Sequence, residues 1–222
     1  VMDPIAHIKP WKDTTLAMLL EAQRRGWVLH YMEPADLYIR DGQVSAVTRD
    51  LQVRDDNQDW YTLGEPAPRD LTGLDMILMR QDPPFDAAYL YVTYMLEKLE
   101  RQGVRVVNRP ASVRDCNEKL FATDFPQCCV PTLVSGRAAL LREFVKEQGD
   151  TVMKPLDAMG GTNVFRIEPG SSNLSVIIDV LTEDGKTPIM AQRFVPEIKQ
   201  GDKRILMING EPLPYSLARI PK

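Results

Sequence analysis

The fold is decided by the stretch Asp150-Thr151-Val152-Met153-Lys154-Pro155-Leu156-Asp157-Ala158-Met159-Gly160-Gly161-Thr162-Asn163-Val164-Phe165-Arg166-Ile167. Residues 151–153 and 164–167 are β-prone, so two strands are predicted on either side of a short loop. The backbone N–H groups of Gly160 and Gly161 can approach an anion closely. Lys154 adds a charge that can reach a phosphate oxygen. The pattern favours a nucleotide lid over its alternative, an ordinary hairpin with a permissive turn.

Composition places the chain among globular proteins that can bury a core. It has 222 residues, 44% of them hydrophobic and 26% charged, enough for one large domain or two small ones. The 27 basic and 31 acidic residues give a net charge of −4, so no general attraction to nucleic acid or to an anionic membrane is expected. No apolar run is long enough to span a membrane, and no signal peptide is recognised. Three cysteines, Cys116, Cys128 and Cys129, suggest reduced thiols in a cytoplasmic protein.

The first half of the chain, residues 1–108, reads as one α/β unit. A strand at residues 1–2, a helix capped by Asp13 and a strand at residues 27–32 predict a βαβ unit and a parallel sheet. Ligands collect where the strands of such sheets end, so Asp3 is a candidate substrate contact.

Two further patterns complete this half. Strands at residues 37–40 and 44–48 flank Asp-Gly and predict a hairpin, whereas residues 50–73 look like surface connection. Residues 76–79 form a continuous apolar run, typical of a strand buried on both faces. Arg80 follows this strand before a rigid Asp-Pro-Pro loop and is a second candidate contact. Asp86 is expected to cap a helix that runs to Gln102.

The second half, residues 109–222, alternates short strands and helices with antiparallel hairpins, so α+β suits it best. A helix is predicted from Pro110 through residues 115–121, and another over residues 173–181 with Val176, Ile177 and Val180 facing inward. The remaining predicted elements are a strand at residues 132–134, a helix at 137–148, a strand at 188–196, and a hairpin of residues 205–208 and 215–219.

The sequence lacks the motifs of several common enzyme and nucleotide-binding classes. There is no P-loop, no Gly-x-Gly-x-x-Gly opening a helix and no Gly-x-Ser-x-Gly elbow. Packing roles are favoured for His7 and His30. What remains is a set of cations and glycines that together could neutralise a triphosphate, although each cation alone reads as a surface charge: Lys119, Lys154, Arg204, Arg219 and the Gly160-Gly161 pair.

The lid motif Lys154-Pro155-Leu156-Asp157-x-Met159-Gly160-Gly161 resembles that of the ATP-grasp superfamily and, within it, the bacterial glutathione synthetase family. Five further stretches are similar to that family in the same register, so the resemblance covers essentially the whole chain: Val1-Met2-Asp3-Pro4-Ile5, Ala17-Met18-Leu19-Leu20-Glu21-Ala22-Gln23-Arg24-Arg25-Gly26, Leu78-Met79-Arg80-x-Asp82-Pro83-Pro84-Phe85-Asp86, Arg114-Asp115-Cys116-Asn117-Glu118-Lys119-Leu120 and Leu217-Ala218-Arg219-Ile220-Pro221.

The resemblance implies an N-terminal α/β substrate-binding domain, residues 1–108, and an ATP-grasp domain, residues 109–222, whose C-terminal part is missing. It implies ligation of γ-glutamylcysteine to glycine through an acyl phosphate, the second step of glutathione biosynthesis, with ATP as cosubstrate, Mg²⁺ or Mn²⁺ as cofactor and a homo-oligomeric enzyme. The resemblance implies that Lys119 and Lys154 flank the nucleotide phosphates and that Gly160 and Gly161 close over them. It implies an adenine hinge formed by Gln192, Arg193, Phe194 and Val195, with Asp202 approaching the ribose. It further implies that Arg204 and Arg219 contact the transferring phosphoryl group and that Arg80 faces the dipeptide.

The sequence departs from the family at two places and leaves two other functions open. The family has Asn-Tyr-Leu where this chain has Arg193-Phe194-Val195, and glycine where it has Ala158, which predicts a slightly stiffer lid. The family's metal-binding residues lie beyond residue 222, so no metal ligand is expected here. The alternatives are another ATP-grasp carboxylate–amine ligase, of D-alanine–D-alanine or glutamate-adding type, and a non-catalytic ATP-binding regulatory protein.

Overall fold

The computed structural model describes residues 1–220, which divide into two compact units. The first comprises Val1–Phe121 with Asp157–Thr162, and the second comprises Ala122–Leu156 and the chain from Asn163 onwards. Pro221 of the last family-like stretch, and the final two residues of the predicted second domain, lie outside the described residues. The predicted domain boundary after residue 108 stays a prediction. Within residues 1–220, no helix combines the length and apolar character needed to cross a membrane.

The first unit mixes helices and strands, as predicted. Its elements are α1 (Thr14–Arg24), β1 (Leu29–Tyr31), β2 (Leu37–Arg40), β3 (Gln43–Val53), β4 (Tyr61–Leu63), β5 (Ala67–Asp70), β6 (Met76–Leu78), α2 (Ala87–Arg101), β7 (Arg105–Val107) and α3 (Pro110–Asp115).

Both predicted helix caps of this unit are confirmed. The Asp13 carboxylate accepts the N–H of Leu16 at 2.9 Å, and the Asp86 carboxylate accepts the N–H of Tyr89 at 2.9 Å. Each cap satisfies a backbone donor that the first turn leaves without an intrahelical partner. The helices α1 and α2 therefore begin where the sequence places them.

The long strand β3 organises an antiparallel sheet. It pairs with β1, β2, β4 and β5, and the predicted β2–β3 hairpin turns through Asp41 and Gly42, both at positive φ. The prediction that residues 50–73 are surface connection is wrong, because they contain the end of β3 and both β4 and β5. Leu51 and Val53 are buried while polar neighbours alternate with them, so a half-buried strand resembled a polar loop.

The predicted βαβ unit is realised only in part. Parallel pairing joins β6 to β7, and a single parallel bridge joins Met2 to Arg80. The strand β1 instead pairs antiparallel with β3, Leu29 lying opposite Leu51. The eleven residues of β3 offer β1 more backbone partners than the two-residue N-terminal strand does.

The helix predicted through residues 115–121 ends early. The last residue of α3 is Asp115, and the chain then turns. The Asn117 side chain accepts the N–H groups of Lys119 and Leu120, both at 3.0 Å. This local bonding competes with helix continuation, as is usual for asparagine.

The second unit contains a four-stranded antiparallel sheet in the order β10-β9-β11-β8. The helices and strands of this unit are β8 (Thr132–Ser135), α4 (Ala138–Gln148), β9 (Thr151–Pro155), β10 (Phe165–Ile167), α5 (Leu174–Thr182), β11 (Ile189–Arg193), β12 (Asp202–Ile208) and β13 (Glu211–Arg219). One sheet face packs against α4 and α5, burying Met153, Ile189 and Ala191 with Leu141, Phe144 and Ile178.

The inward face predicted for α5 is wrong for Val176 and Val180 and is partly confirmed for Ile177. Val176 and Val180 are 62% and 66% exposed, whereas Ile178 and Leu181 are buried and Ile177 packs partly against the core. Successive residues of a helix are about 100° apart, so Val176 and Val180 lie on nearly the opposite side from Ile178. Apolar residues lie on more than one side of this helix, so its sequence alone did not identify the buried stripe.

The predicted hairpin near the end of the described chain is confirmed and is longer than expected. The strands β12 and β13 pair antiparallel around a turn at Asn209 and Gly210, with φ of 52° and 83°. Apart from Asp202, the residues of both strands are exposed.

Candidate functional site

The predicted lid is a hairpin whose two strands belong to the second unit. The strands β9 and β10 pair antiparallel, with Phe165 opposite Met153 and Arg166 opposite Val152. The strand β9 continues to Pro155, so Lys154 lies within the strand rather than after it. Because side chains alternate along a strand, Lys154 lies on the face opposite Met153 and therefore away from α4 and α5.

A chain of hydrogen bonds crosses the sheet face on which Lys154 lies. Lys154 Nζ donates to Gln192 Oε1 at 2.8 Å, Gln192 Nε2 donates to Thr132 Oγ1 at 2.9 Å, and Thr132 Oγ1 donates to the Val130 carbonyl at 2.7 Å. Thr132 lies directly opposite Gln192 in the β8–β11 pair. The sheet thus brings together two predicted nucleotide contacts, Lys154 and Gln192, in an orientation that hydrogen bonds fix.

The two lid glycines adopt conformations that favour glycine. Gly160 and Gly161 have φ of +66° and +84°, and a Cβ atom added to either would meet no atom within 4 Å. Their left-handed backbone suits glycine, and the space around each α-carbon leaves room for a ligand. This arrangement is compatible with the close anion approach predicted from the sequence.

The predicted phosphate contact Lys119 lies against the lid tip, within the first unit. Its ammonium donates to Glu118 Oε1 at 2.7 Å and to the carbonyl of Ala158, and the side chain is 14% exposed. Ala158, noted above as a departure from the family, thus contributes a backbone acceptor. The ammonium is held within a few ångströms of the loop that carries both glycines.

The predicted adenine hinge, Gln192 to Val195, is tied to two neighbouring segments by its backbone. The N–H of Arg193 donates to the Pro131 carbonyl at 3.1 Å, and the N–H of Phe194 donates to the Asp150 carbonyl at 2.8 Å. Among residues 1–220, no acceptor pairs with the N–H of Val195. Of these three N–H groups, that of Val195 is therefore the one able to donate to a bound base.

A cation–π contact holds the Phe194 side chain. The Arg166 guanidinium lies 4.2 Å from the centre of the Phe194 ring. It also donates to the Asp150 carboxylate and lies 3.4 Å from Glu168 Oε1. The hydrogen bond with Asp150 raises the pKa of Arg166. Phenylalanine at this position thus keeps a defined side-chain partner.

The β12–β13 hairpin carries the three predicted contacts to ribose and transferring phosphoryl group. Asp202 lies directly opposite Arg219, and two hydrogen bonds of 2.6 and 2.9 Å join them. This pairing raises the pKa of Arg219. Arg204 lies two residues from Asp202 on the same strand face and is exposed. A Cβ on Gly201 would clash with the carbonyl oxygen of Arg219, so glycine permits the close strand approach.

Asp3 and Arg80, the predicted dipeptide contacts, lie on adjacent segments of the first unit. Arg80 Nε donates to Thr15 Oγ1 at 3.1 Å, and Arg80 Nη2 donates to Thr14 Oγ1 at 3.3 Å. Asp3 Oδ2 accepts the N–H of Asp82 at 2.7 Å. The start of α1 thereby orients the guanidinium at the carboxyl edge of the β6–β7 pair.

Two neighbours of this region are features that the sequence did not reveal. The pKa of Tyr89 is raised, first by burial and then by the carboxylates of Asp3 and Asp82. The amide oxygen of Gln81 is buried and has no hydrogen-bond partner among residues 1–220. An unpaired buried acceptor is rare in folded proteins.

Thr132, Asp150, Arg166 and the Ala158 carbonyl also went unpredicted. Each acts through strand register or loop approach, and no spacing in the sequence encodes these. Strand alternation alone does place Arg166 on the face opposite Phe165, but it does not identify Phe194 as its partner. The roles assigned to individual site residues remain predictions.

Two other features bear on the choice of site. An open cleft of about 560 Å³ lies along α1, lined by residues including Trp11, Asp13 and Arg24, and none of the predicted site residues lines it. Its wall mixes both charges and carries no distinctive chemistry. Within residues 1–220, no group of three or more His, Cys, Asp or Glu side chains could hold a metal ion.

The sequence matches two family profiles. Residues 1–114 match "Prokaryotic glutathione synthetase, N-terminal domain" and residues 118–222 match "Prokaryotic glutathione synthetase, ATP-grasp domain". These matches confirm the family resemblance that the motifs indicated.

Individual proteins support the same conclusion. A glutathione synthetase of Pseudomonas aeruginosa is 58% identical over 221 residues, covering 100% of this chain and 70% of that protein. One from Pseudomonas syringae pv. tomato is also 58% identical, with 69% of its length covered. The solved structure of ATP-grasp ligase PsnB complexed with minimal precursor aligns with 93% of this chain and 71% of its own, at a TM-score of 0.51 and 12% identity. At that identity the likeness supports the ATP-grasp fold alone.

Proposed function

We propose, because this chain belongs to the prokaryotic glutathione synthetase family, that it supplies the dipeptide-binding and nucleotide-binding parts of a glutathione synthase. The enzyme is an ADP-forming ligase that uses ATP and small-molecule substrates. The cysteinyl carboxylate of γ-glutamylcysteine is phosphorylated at the expense of ATP, and the amine of glycine then displaces the phosphate to form the peptide bond. The identity of 58% over the whole chain carries this proposal.

The nucleotide is proposed to bind through cationic side chains and backbone N–H groups. Lys154 would present its ammonium on the sheet face away from α4 and α5, and the backbone from Gln192 to Val195 would receive the adenine. Lys119 and the lid glycines would contact the phosphates. Ammonium groups and bare N–H groups stabilise an anion without needing to reorganise during the reaction.

The transferring group is proposed to meet the arginines of the hairpin. Arg204 and Arg219 would stabilise the charge that develops on the phosphoryl oxygens, and Asp202 would approach the ribose. A guanidinium forms paired hydrogen bonds with phosphate oxygens and keeps its charge at any physiological pH. Asp3 and Arg80 are proposed to bind the charged ends of the dipeptide.

Mg²⁺ or Mn²⁺ is the proposed cofactor, and when bound to the nucleotide it would neutralise phosphate charge. Residues 1–220 contain no cluster of side chains that fits a metal ion, so we assign no metal ligand and no metal-dependent step to this part of the chain. A homo-oligomeric enzyme in the cytoplasm is also proposed, on the family resemblance and on three cysteines that are free in the structure.

Release of ADP by the complete gene product tests the function. The protein is incubated with ATP, γ-glutamylcysteine and glycine, with D-alanine or glutamate replacing glycine in parallel reactions. ADP release is expected only with the dipeptide and glycine together. Faster release with D-alanine or glutamate would assign another ligase, and tight ATP binding without turnover would indicate a regulatory protein.

A further inference from the structure

We infer that Arg166 is a positioning residue that couples the returning strand of the lid to the adenine hinge through the ring of Phe194. The inference rests on the proposed function, since the hinge and lid are its nucleotide-binding elements. It adds a residue to which neither the family resemblance nor the lid motif gives a role.

Asp150 holds both partners of the contact. Its carbonyl accepts the N–H of Phe194 at 2.8 Å, and its carboxylate accepts a hydrogen bond from Arg166. Arg166 is therefore fixed by a charge-assisted bond while its guanidinium covers the Phe194 ring at 4.2 Å. Asp150 directly precedes β9, Arg166 lies in β10 and Phe194 follows β11, so the contact joins three segments at one end of the sheet.

The strand register makes this contact sensitive to the position of the lid. Arg166 lies opposite Val152, and β10 is the arm by which the chain returns from the glycine loop. A shift of β10 along β9 would move the guanidinium off the ring. The position of the Phe194 backbone, and of the adjacent Val195 N–H, is thereby linked to the position of the lid strand. A nucleotide that contacts both the lid and the hinge would bind best when the cation–π contact between Arg166 and Phe194 is intact.

Substitutions that remove either partner of the cation–π contact test the inference in the complete gene product. Phe194→Leu keeps an apolar side chain but removes the aromatic face, and Arg166→Met keeps the aliphatic stem but removes the charge. Each is expected to raise the KM for ATP and the Kd of a non-hydrolysable ATP analogue by about twofold to tenfold, the range for a partly exposed cation–π contact. The KM values for γ-glutamylcysteine and glycine should stay within about twofold of wild type.

Three comparisons separate positioning from a general structural role. Phe194→Tyr keeps the aromatic ring and should retain wild-type ATP affinity. The double variant should be no weaker than either single variant, because both remove one interaction. Arg142→Met removes another arginine of the same unit, one that bonds Ser175 between α4 and α5, and should leave ATP affinity unchanged.

The outcomes are distinguishable. Wild-type affinity in Phe194→Leu, additive effects in the double variant, or an equal rise in all three KM values would overturn the role of Arg166. If the wild-type protein binds the analogue but does not ligate, the proposed function fails, and the binding comparison still decides the coupling.

Discussion

Lys154 and Gln192 are joined by a hydrogen bond of 2.8 Å that runs diagonally between β9 and β11, on the sheet face away from both helices. Its direction is fixed further along, because the amide nitrogen of Gln192 donates to Thr132. The lysine is thus held on this face before any ligand arrives.

Lys154→Ala is expected to abolish ATP-dependent ligation, lowering turnover by about a hundredfold or more, since a charged group that is proposed to contact the phosphates is lost. ADP release measures the effect. Lys146→Ala, at an exposed position on α4 of the same unit, should behave as wild type. An unaffected Lys154→Ala enzyme would place the phosphates elsewhere.

Gly161→Ala should impair the lid through backbone strain rather than through a clash. The φ of +84° costs an L-residue about 1–2 kcal/mol, while the space around the α-carbon accepts a methyl group. The KM for ATP is expected to rise by the factor that corresponds to about 1–2 kcal/mol. Gly161→Asn should raise the KM less, because asparagine tolerates a left-handed backbone. Gly73→Ala, also in open space but without a left-handed φ, is the matched control. Equal effects of the Ala and Asn variants would contradict the explanation.

Gln81→Met is expected to stabilise the protein. The variant keeps the length of the side chain and removes a buried amide oxygen that has no partner among residues 1–220, a group that typically costs about 1–3 kcal/mol. Urea unfolding should show a gain of roughly 1 kcal/mol. Gln58→Met, at an exposed turn, should change stability by less than about 0.5 kcal/mol. A loss of stability in Gln81→Met would mean that the amide oxygen is bonded in solution.

The stability conferred by Glu97 should depend on pH. Hydrogen bonds from Arg101 and then Arg114 hold the pKa of Glu97 below its ordinary value of 4.5. Because the folded pKa is the lower one, ionised Glu97 stabilises the fold above about pH 4.5, and this contribution is lost as pH falls through the folded pKa.

The difference in unfolding free energy between wild type and Glu97→Gln should therefore be constant near neutral pH and shrink below about pH 4.5. Urea unfolding over a pH series measures it, with Glu147→Gln, an exposed position on α4, as the control. A difference that stays constant down to pH 3 would exclude the ionised pair as its source.

Local chemistry was the most predictable part of the fold. The caps at Asp13 and Asp86, the turn at Asp41-Gly42 and the lid strands depend on residues close in sequence, and all are confirmed. The errors arose where tertiary pairing decides: β4 and β5 form because β3 offers them an edge, and α5 buries Ile178 because that side meets the sheet.

The site followed the same division. Lysines, arginines and glycines could be singled out by chemical type and by family resemblance. The contacts that orient them, such as Thr132 on Gln192 or Arg166 on Phe194, depend on strand register between distant residues. A one-residue change of register would reverse every face, so periodicity alone could not supply these partners.

The Asp202–Arg219 ion pair has a consequence for ligand affinity. Two side chains proposed to serve a nucleotide already satisfy each other, so a phosphate that recruits the guanidinium must release a carboxylate. Binding then exchanges one electrostatic partnership for another, and only the difference between the two contributes to affinity. Without the Asp202 carboxylate, Arg219 would no longer exchange this ion pair for a bound anion. The hairpin would then bind anions of many kinds more tightly than the native hairpin does.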